Sequence, residues 1–136
     1  MKMNKKEAFA HFGIKQTNEH WSWAGIKEDK SLVVLTIWTD QRNYEQGGRF
    51  TTSTFNANNE IWKDHLGNKE RIEIIQYCIE HLDSKFRVIW CVPADPNVFE
   101  DTREVDDAIP FKKKWFRITE FDQETGEFSS ESIEEN

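Results

Sequence analysis

The sequence predicts an α+β fold, namely a small, strongly bent mixed sheet or open β-barrel with one main amphipathic helix and a short N-terminal helix. Apolar runs rich in β-branched and aromatic residues recur between turn clusters, which is typical of strands. One segment, residues 69–82, carries apolar residues at helical spacing. The 136 residues suit one domain, and a 13% aromatic content supplies a large core. We predict a globular domain over residues 1–121 and an acidic, partly disordered tail over residues 122–136.

The N-terminal third is predicted to form a helix and a hairpin. Residues 4–12 have helical spacing, and Asn4 is a suitable N-cap. Two strands follow over residues 20–26 and 31–39, with a short turn between them. The second strand is apolar almost throughout, as expected for a strand that is covered on both faces.

The middle of the chain is predicted to supply a polar strand, the main helix and a central strand. Residues 50–55 contain β-formers, and their polarity indicates an edge strand. The main helix, residues 69–82, has Asn68 as its predicted N-cap. Residues 86–92 form an apolar run that is typical of a central strand. The predicted buried stripe of the helix consists of Ile72, Ile75, Ile79 and Leu82.

The C-terminal third is predicted to begin with a long loop. Residues 93–113 contain all three prolines and many acids. Loops longer than about 12–15 residues are uncommon in compact domains and often carry function. A final strand with alternating faces is predicted over residues 112–121, and disorder is predicted from Ser129 onward.

Charge is distributed unevenly along the chain. The net charge is −7, but residues 122–136 carry six acidic and no basic side chains. Residues 1–121 therefore have a net charge of only −1. This balance argues against a broad electrostatic footprint for nucleic acid, although a local basic surface is compatible with it.

The sequence predicts a cytoplasmic protein with free thiols and no membrane association. Mean hydropathy is −0.80, and no apolar run approaches the roughly 20 residues of a membrane span. The basic N-terminus is not followed by an apolar stretch, so we expect no secretory signal. Cys78 and Cys91 do not have a zinc or redox spacing, and we predict two buried free thiols. A structural disulfide is the alternative.

No motif for a cofactor, a metal or a catalytic group is present, so we expect no cofactor and assign no catalytic residue. The histidines are scattered without metal-ligand spacing. Phosphate-loop, dinucleotide and nucleophile-elbow patterns are absent. A metal-dependent nuclease would require Pro-Asp followed by an acid-x-Lys pattern, whereas Asp95-Pro96 has the reverse order. The sequence favours a non-enzymatic protein.

Three of the six tryptophans lie in the predicted hairpin. Trp21 and Trp23 are two apart in one strand and therefore share a face. Trp38 ends the other strand, and Asp40 follows it. Two interpretations remain open: the indoles fill the core, or they line a pocket that stacks a planar ligand such as a flipped base. In the pocket interpretation, Asp40 accepts a hydrogen bond from an exocyclic amine of that base.

Three consecutive lysines lie next to an indole late in the chain. They are Lys112, Lys113 and Lys114, followed by Trp115. Lysine contacts to phosphates and stacking on an indole are elements of a nucleic-acid surface. The other open interpretation is a solubilising strand end that offsets the acids at residues 100–107.

Most of residues 9–121 resembles a small bacterial domain that is associated with the N-terminal part of some HNH-endonuclease proteins. The similar segments run from Phe12 to Asp40, and from the helix at residues 69–82 to Arg103. The order of elements also resembles the PUA-like small β-barrels, which include EVE and related readers of modified bases. The resemblance implies a base-binding pocket at the barrel mouth and a separate nuclease as protein partner. Its matching positions are Trp21, Trp23, Trp38 and Asp40, with Arg103 as a phosphate or base contact.

The leading hypothesis is therefore a non-enzymatic recognition module that binds a nucleobase, modified or flipped, in DNA or RNA. A tryptophan-lined pocket would hold the base, and the lysines at 112–114 would contact the nucleic-acid backbone. The alternative is an acidic protein-interaction or inhibitor protein of phage or mobile-element origin. The net charge of −7 and the acidic tail motivate this alternative.

Overall fold

The structure is a computed structural model that describes residues 2–16, 22–55, 64–95, 97 and 104–133. Within these residues the predicted α+β class is confirmed: two helices accompany one seven-stranded mixed sheet that is not closed. The helices are α1 (Lys5–Ala10) and α2 (Leu66–His81). The strands are β1 (Ala24–Ile26), β2 (Val33–Trp38), β3 (Arg42–Glu45), β4 (Arg49–Ser53), β5 (Lys85–Pro93), β6 (Val105–Phe121) and β7 (Phe128–Ile133). Neither helix in these ranges is long and apolar enough to cross a membrane.

The sheet combines one parallel pair with antiparallel pairs, in the order β1-β2-β5-β6-β7-β4-β3. β2 and β5 are parallel because β3, β4 and α2 form the crossover between them. The other neighbouring pairs are antiparallel. β5 is an interior strand, as predicted. β4 is interior as well, so its predicted edge position is wrong, and the short β3 takes that position instead.

α1 packs on one face of the sheet, which we call the outer face. Asn4 caps this helix as predicted, because its side chain accepts a hydrogen bond from the Glu7 amide at 2.8 Å. The Ala108 amide donates to the Met3 carbonyl at 2.8 Å and ties the start of the helix to β6. The outer cluster of buried side chains comprises Ala8, Phe9, Phe12, Ile14, Val34, Ile89, Cys91 and Ala108.

α2 packs on the opposite, inner face and begins earlier than predicted. Its N-cap is His65, whose Nδ1 accepts a hydrogen bond from the Gly67 amide at 2.9 Å. Asn68, the predicted cap, lies inside the helix and is fully buried. The predicted buried stripe is therefore partly wrong, since Ile79 is 40% exposed. The buried residues of α2 are Gly67, Asn68, Arg71, Ile74, Ile75 and Cys78.

The turn between β6 and β7 contacts the buried side of α2. The Asn68 side-chain amide donates to the Thr125 carbonyl at 2.8 Å. Gly126 approaches so closely that a Cβ built on it would lie 2.3 Å from Asn68 Oδ1. The same oxygen accepts a hydrogen bond from Arg71 Nη2 at 3.0 Å. Polar contacts with a distant turn thus act together with the packing of Ile74, Ile75 and Cys78 in the inner cluster to fix the buried face of the helix.

β6 runs for 17 residues and replaces part of the loop predicted over residues 93–113. It pairs with β5 on one side and, in its second half, with β7 on the other. Between the pairs Phe86–Phe116 and Val88–Phe111, four residues of β6 face one residue of β5. We call this segment, residues 112–115, the β6 bulge. Such an insertion bends the strand and increases its local twist.

The sheet curls so that β4 lies over β5 and β6. The ring centroid of Phe50 on β4 is 5.7 Å from that of Trp90, 5.5 Å from that of Phe111 and 6.4 Å from that of Phe116. The strong bend that the sequence predicts is therefore present without closure of a barrel. The buried inner cluster comprises Ala24, Val33, Leu35, Ile37, Ile74, Ile75, Cys78, Phe86, Val88, Trp90, Phe116, Ile118 and Phe128.

The C-terminal segment contains an interior strand, so the prediction of disorder from Ser129 onward is wrong for residues 129–133, and residues 134–136 lie outside the described residues. β7 lies between β6 and β4. Phe128 at its start is fully buried in the inner cluster. Farther along, the hydroxyls of Ser130 and Thr52 form a buried hydrogen bond at 2.6 Å. A polar sequence can occupy an interior position here because its hydroxyl groups are paired.

Both cysteines are buried free thiols, as predicted. Cys78 belongs to the inner cluster and Cys91 to the outer cluster. Burial raises the pKa of each thiol to about 12, so both are protonated at neutral pH. Protonated, buried thiols are poor nucleophiles, and neither group suits a catalytic role.

Phe128→Ala is expected to lower the free energy of unfolding by about 3–5 kcal/mol, because it opens a cavity under β7. Urea denaturation followed by tryptophan fluorescence measures this change. The matched control is Glu124→Ala in the exposed turn before β7, which should shift stability by less than about 0.5 kcal/mol. Equal stability of the two variants would show that this segment is not part of the core.

Candidate nucleic-acid interface

The β6 bulge presents the three predicted backbone-contacting lysines together. Lys112 and Lys113 are exposed, and Lys114 is half-buried. The Lys112 ammonium lies 5.4 Å from the ring centroid of Phe12, next to α1. On the other side, Lys114 Nζ would lie 3.7 Å from a Cβ built on Gly48, in the turn between β3 and β4. The lysines therefore span the surface from α1 to this turn.

Arg87 holds the bulge in place from β5. Its guanidinium carbon lies 3.8 Å from the ring centroid of Trp115, well within the range of a cation–π contact. Its Nη1 also donates to the Lys112 carbonyl at 3.0 Å. Backbone groups in a bulge lose their ladder partners, and this side chain supplies one. The result is a cation stacked on an indole at the centre of the lysine cluster.

Further cations lie on the outer face beside the bulge. Lys85 and Arg117 are direct cross-strand partners that alternate with the buried Phe86 and Phe116. Together, the bulge and the adjoining outer face carry Arg49, Lys85, Arg87, Lys112, Lys113, Lys114 and Arg117. The acidic side chains at neighbouring register positions, or in ion pairs with these cations, are Glu45, Asp83, Glu120 and Glu131. This surface is therefore locally positive on a chain whose net charge is −7.

Glu131 on β7 neutralises two of these cations. Arg49 Nη2 binds one of its oxygens, and Arg117 Nη2 lies 3.4 Å from the other. The hydrogen bond from Arg49 is the main reason that the pKa of Glu131 is lowered from its ordinary value. The positive charge that projects from this surface therefore comes from the bulge, where Lys112 and Lys113 are exposed.

Trp23 lies against the start of α2. Its indole stacks on the His65 ring at a centroid distance of 4.6 Å and an interplanar angle of 14°. The guanidinium carbon of Arg71 is 5.0 Å from the same indole and 5.3 Å from the Phe128 ring. Burial lowers the pKa of Arg71 to about 9, which leaves it charged at neutral pH. Trp23 is half-buried and forms part of a layer of aromatic rings and a buried cation.

Trp38 lies in a different environment from Trp23. It packs against the outer cluster, next to α1, whereas His65 and Arg71 belong to the inner side. Asp40 is exposed in a short 3₁₀ turn that follows β2. Two other predicted site residues, Trp21 and Arg103, lie outside the described residues. The structure therefore separates the two described indoles of the predicted pocket and brings the three lysines together.

Arg87 is the functional candidate that sequence reasoning missed. It lies between two buried residues of β5, Phe86 and Val88, so alternation alone indicates an outward side chain. Its contact with Trp115 depends on the register between β5 and β6, and that register changes at the bulge. No signal within either strand reveals the pair.

The described residues contain no group of three or more His, Cys, Asp or Glu side chains that could hold a metal ion. Comparisons with protein-family models, curated proteins and solved structures find no match to the chain. The PUA-like interpretation stays a prediction.

Glu131→Gln is expected to lower the free energy of unfolding at neutral pH by about 1 kcal/mol or less, because the ion pairs are partly exposed. The carboxylate has a lowered pKa in the folded state, so its contribution is present above the unfolded pKa and is lost as pH falls. The difference between wild type and variant should therefore shrink below about pH 4. Urea denaturation of both proteins at several pH values above and below this point tests the prediction, with Glu120→Gln as the control. A difference in the free energy of unfolding that does not change with pH would contradict the assigned ion pairs of Glu131.

Proposed function

We propose that this protein is a non-enzymatic recognition module that binds nucleic acid, DNA or RNA, through the β6 bulge. The observation that carries the proposal is the bulge itself, which places three lysines around an arginine stacked on Trp115. Lysines at such a position can contact phosphates, and an indole next to them can support a base or sugar.

The lysine cluster lies on a chain that is acidic overall. This position supports nucleic-acid binding rather than a purely solubilising role of the lysines. A net charge of −7 repels nucleic acid at long range. Binding therefore requires a local surface on which cations outnumber acids. The bulge and its outer-face neighbours form such a surface, and Glu131 keeps Arg49 and Arg117 in fixed positions at its border.

We extend the proposal to recognition of a single base, modified or flipped, by Trp23 of the first hairpin. Trp23 supports this extension because its half-buried indole is already stacked and rigid, which lowers the entropic cost of binding a planar ligand. Trp38 packs against the outer cluster, so the extension is limited to Trp23 and does not include Trp38 or the Asp40 that follows it. The base site and the backbone site are separate regions, and separate variants can test them.

The C-terminal acids give little support to the alternative of an acidic inhibitor. Asp122 accepts hydrogen bonds from the backbone amides of Glu124 and Thr125, and Glu127 accepts one from the Thr125 hydroxyl. Glu131 is held by two arginines. Asp122, Glu127 and Glu131 thus stabilise a turn and a strand of the domain, whereas Glu134 and Glu135 lie outside the described residues.

Replacing both Lys112 and Lys113 with Ala is expected to weaken binding to a short oligonucleotide at low salt. Each lysine that contacts a phosphate contributes about one unit to the salt dependence, so the slope of log K against log salt should fall by roughly 2. Fluorescence anisotropy at several salt concentrations measures both quantities. The matched control replaces Lys15 and Lys69, which are also exposed, and removes the same charge elsewhere. Equal weakening by the two pairs would rule out a specific interface.

Trp23→Ala is expected to reduce the preference for an oligonucleotide that contains a methylated base over the same strand without it. Loss of one stacking contact corresponds to about 1–3 kcal/mol of binding free energy. The control Trp23→Phe keeps an aromatic ring against His65 and should retain part of the preference. An unchanged preference in the alanine variant would remove Trp23 from the base site, without affecting the proposal for the bulge.

A further inference from the structure

Tyr44 on the edge strand β3 is the most exposed large aromatic side chain among the described residues, at 70% exposure. Burial of a tyrosine ring is favourable because it removes a large apolar area from water. Two of the other large apolar side chains that are exposed, Leu66 and Ile79, lie on α2. Tyr44 therefore needs an explanation of its own.

The ring of Tyr44 is held on a rigid aromatic base. It meets the Phe50 ring edge-on, with centroids 5.0 Å apart and an interplanar angle of 69°. Phe50 in turn packs against Trp90 and Phe111 of the inner cluster. A ring supported in this way presents its outer side to solvent with little loss of freedom on binding, as a stacking platform requires.

The platform and the β6 bulge meet at Gly48. A Cβ built on this glycine would lie 3.7 Å from Lys114 Nζ and 3.9 Å from the Tyr44 hydroxyl. Arg42, two residues before Tyr44 and on the same face of β3, has its guanidinium carbon 4.8 Å from the Trp90 ring centroid. The Tyr44 hydroxyl and a cation of the bulge therefore meet at Gly48, and Arg42 lies on the same face of β3 as the ring.

We infer that the ligand of the bulge is a single-stranded nucleic acid, one unpaired base of which stacks on Tyr44 while its phosphates lie along the lysines. This inference rests on the proposed function and specifies its ligand. A duplex offers phosphates to the lysines, but its base faces are stacked inside and only base edges are accessible in the grooves. A single strand offers both phosphates and open base faces. The combination of Tyr44 and the bulge matches the single strand.

The test compares a short fluorescein-labelled single strand with the same strand annealed to its complement, at low salt. Tyr44→Ala should weaken binding of the single strand by about 5- to 100-fold, the effect of losing one stacked base. Tyr44→Phe keeps the ring and should bind within about twofold of wild type. Tyr77→Ala removes another tyrosine, on α2, and should leave binding unchanged. The duplex should bind more weakly than the single strand and should not respond to Tyr44→Ala.

The outcomes separate this inference from the proposed function. If the Lys112/Lys113 double variant loses binding while Tyr44→Ala binds the single strand like wild type, the inference is wrong and the bulge still binds nucleic acid. A duplex that binds as tightly as the single strand would also overturn the inference alone. If wild type binds neither form at low salt, both proposals fail. Because Tyr44 is exposed, unchanged urea denaturation of Tyr44→Ala will confirm that its fold is intact.

Discussion

The register change in the middle of β6 is the constraint on which the rest of the structure depends. β6 pairs with β5 on both sides of the β6 bulge, through residues 105–111 and 116–117, and it pairs with β7 through residues 115–121. An insertion of this kind bends the strand, and in the curled sheet the ring centroid of Phe50 on β4 lies 5.7 Å from that of Trp90 on β5. The same insertion releases three lysines from the ladder, of which Lys112 and Lys113 are exposed and Lys114 is half-buried. The β6 bulge is thus both a bend in the sheet and the surface that we assign to ligand binding.

A second constraint is the buried polar contact between α2 and the turn after β6. Asn68 joins that turn to the helix, and Arg71 lies between the rings of Trp23 and Phe128. A buried cation is tolerated there because aromatic faces and an amide oxygen replace part of its hydration. This layer fixes α2, the first hairpin and β7 relative to one another, and it is the reason that Trp23 lies on the inner side.

Sequence patterns predicted the structure correctly where residues within a single strand or helix determine it. The Asn4 cap, the apolar β2 and β5 and the two buried thiols all followed from neighbours within a few residues. Sequence patterns failed where contacts with a distant segment of the chain determine the structure. β7 has too little apolar character to be recognised alone, and β6 begins among prolines and acids that indicate a loop. Of the predicted site, the lysine cluster was found from the sequence, whereas the Arg87–Trp115 contact and the exposed Tyr44 were not.

The amino-acid sequence by itself determined the α+β class, the main helix, the central strand and the presence of a basic cluster beside an indole. These are properties of composition and of short-range periodicity, since side chains a few positions apart share a face in a helix or strand. The tertiary structure alone decided the register of β6, the buried face of α2 and the sides of the sheet on which Trp23 and Trp38 lie. The physical reason is that each of these depends on docking between segments far apart in the chain, so no local pattern contains it.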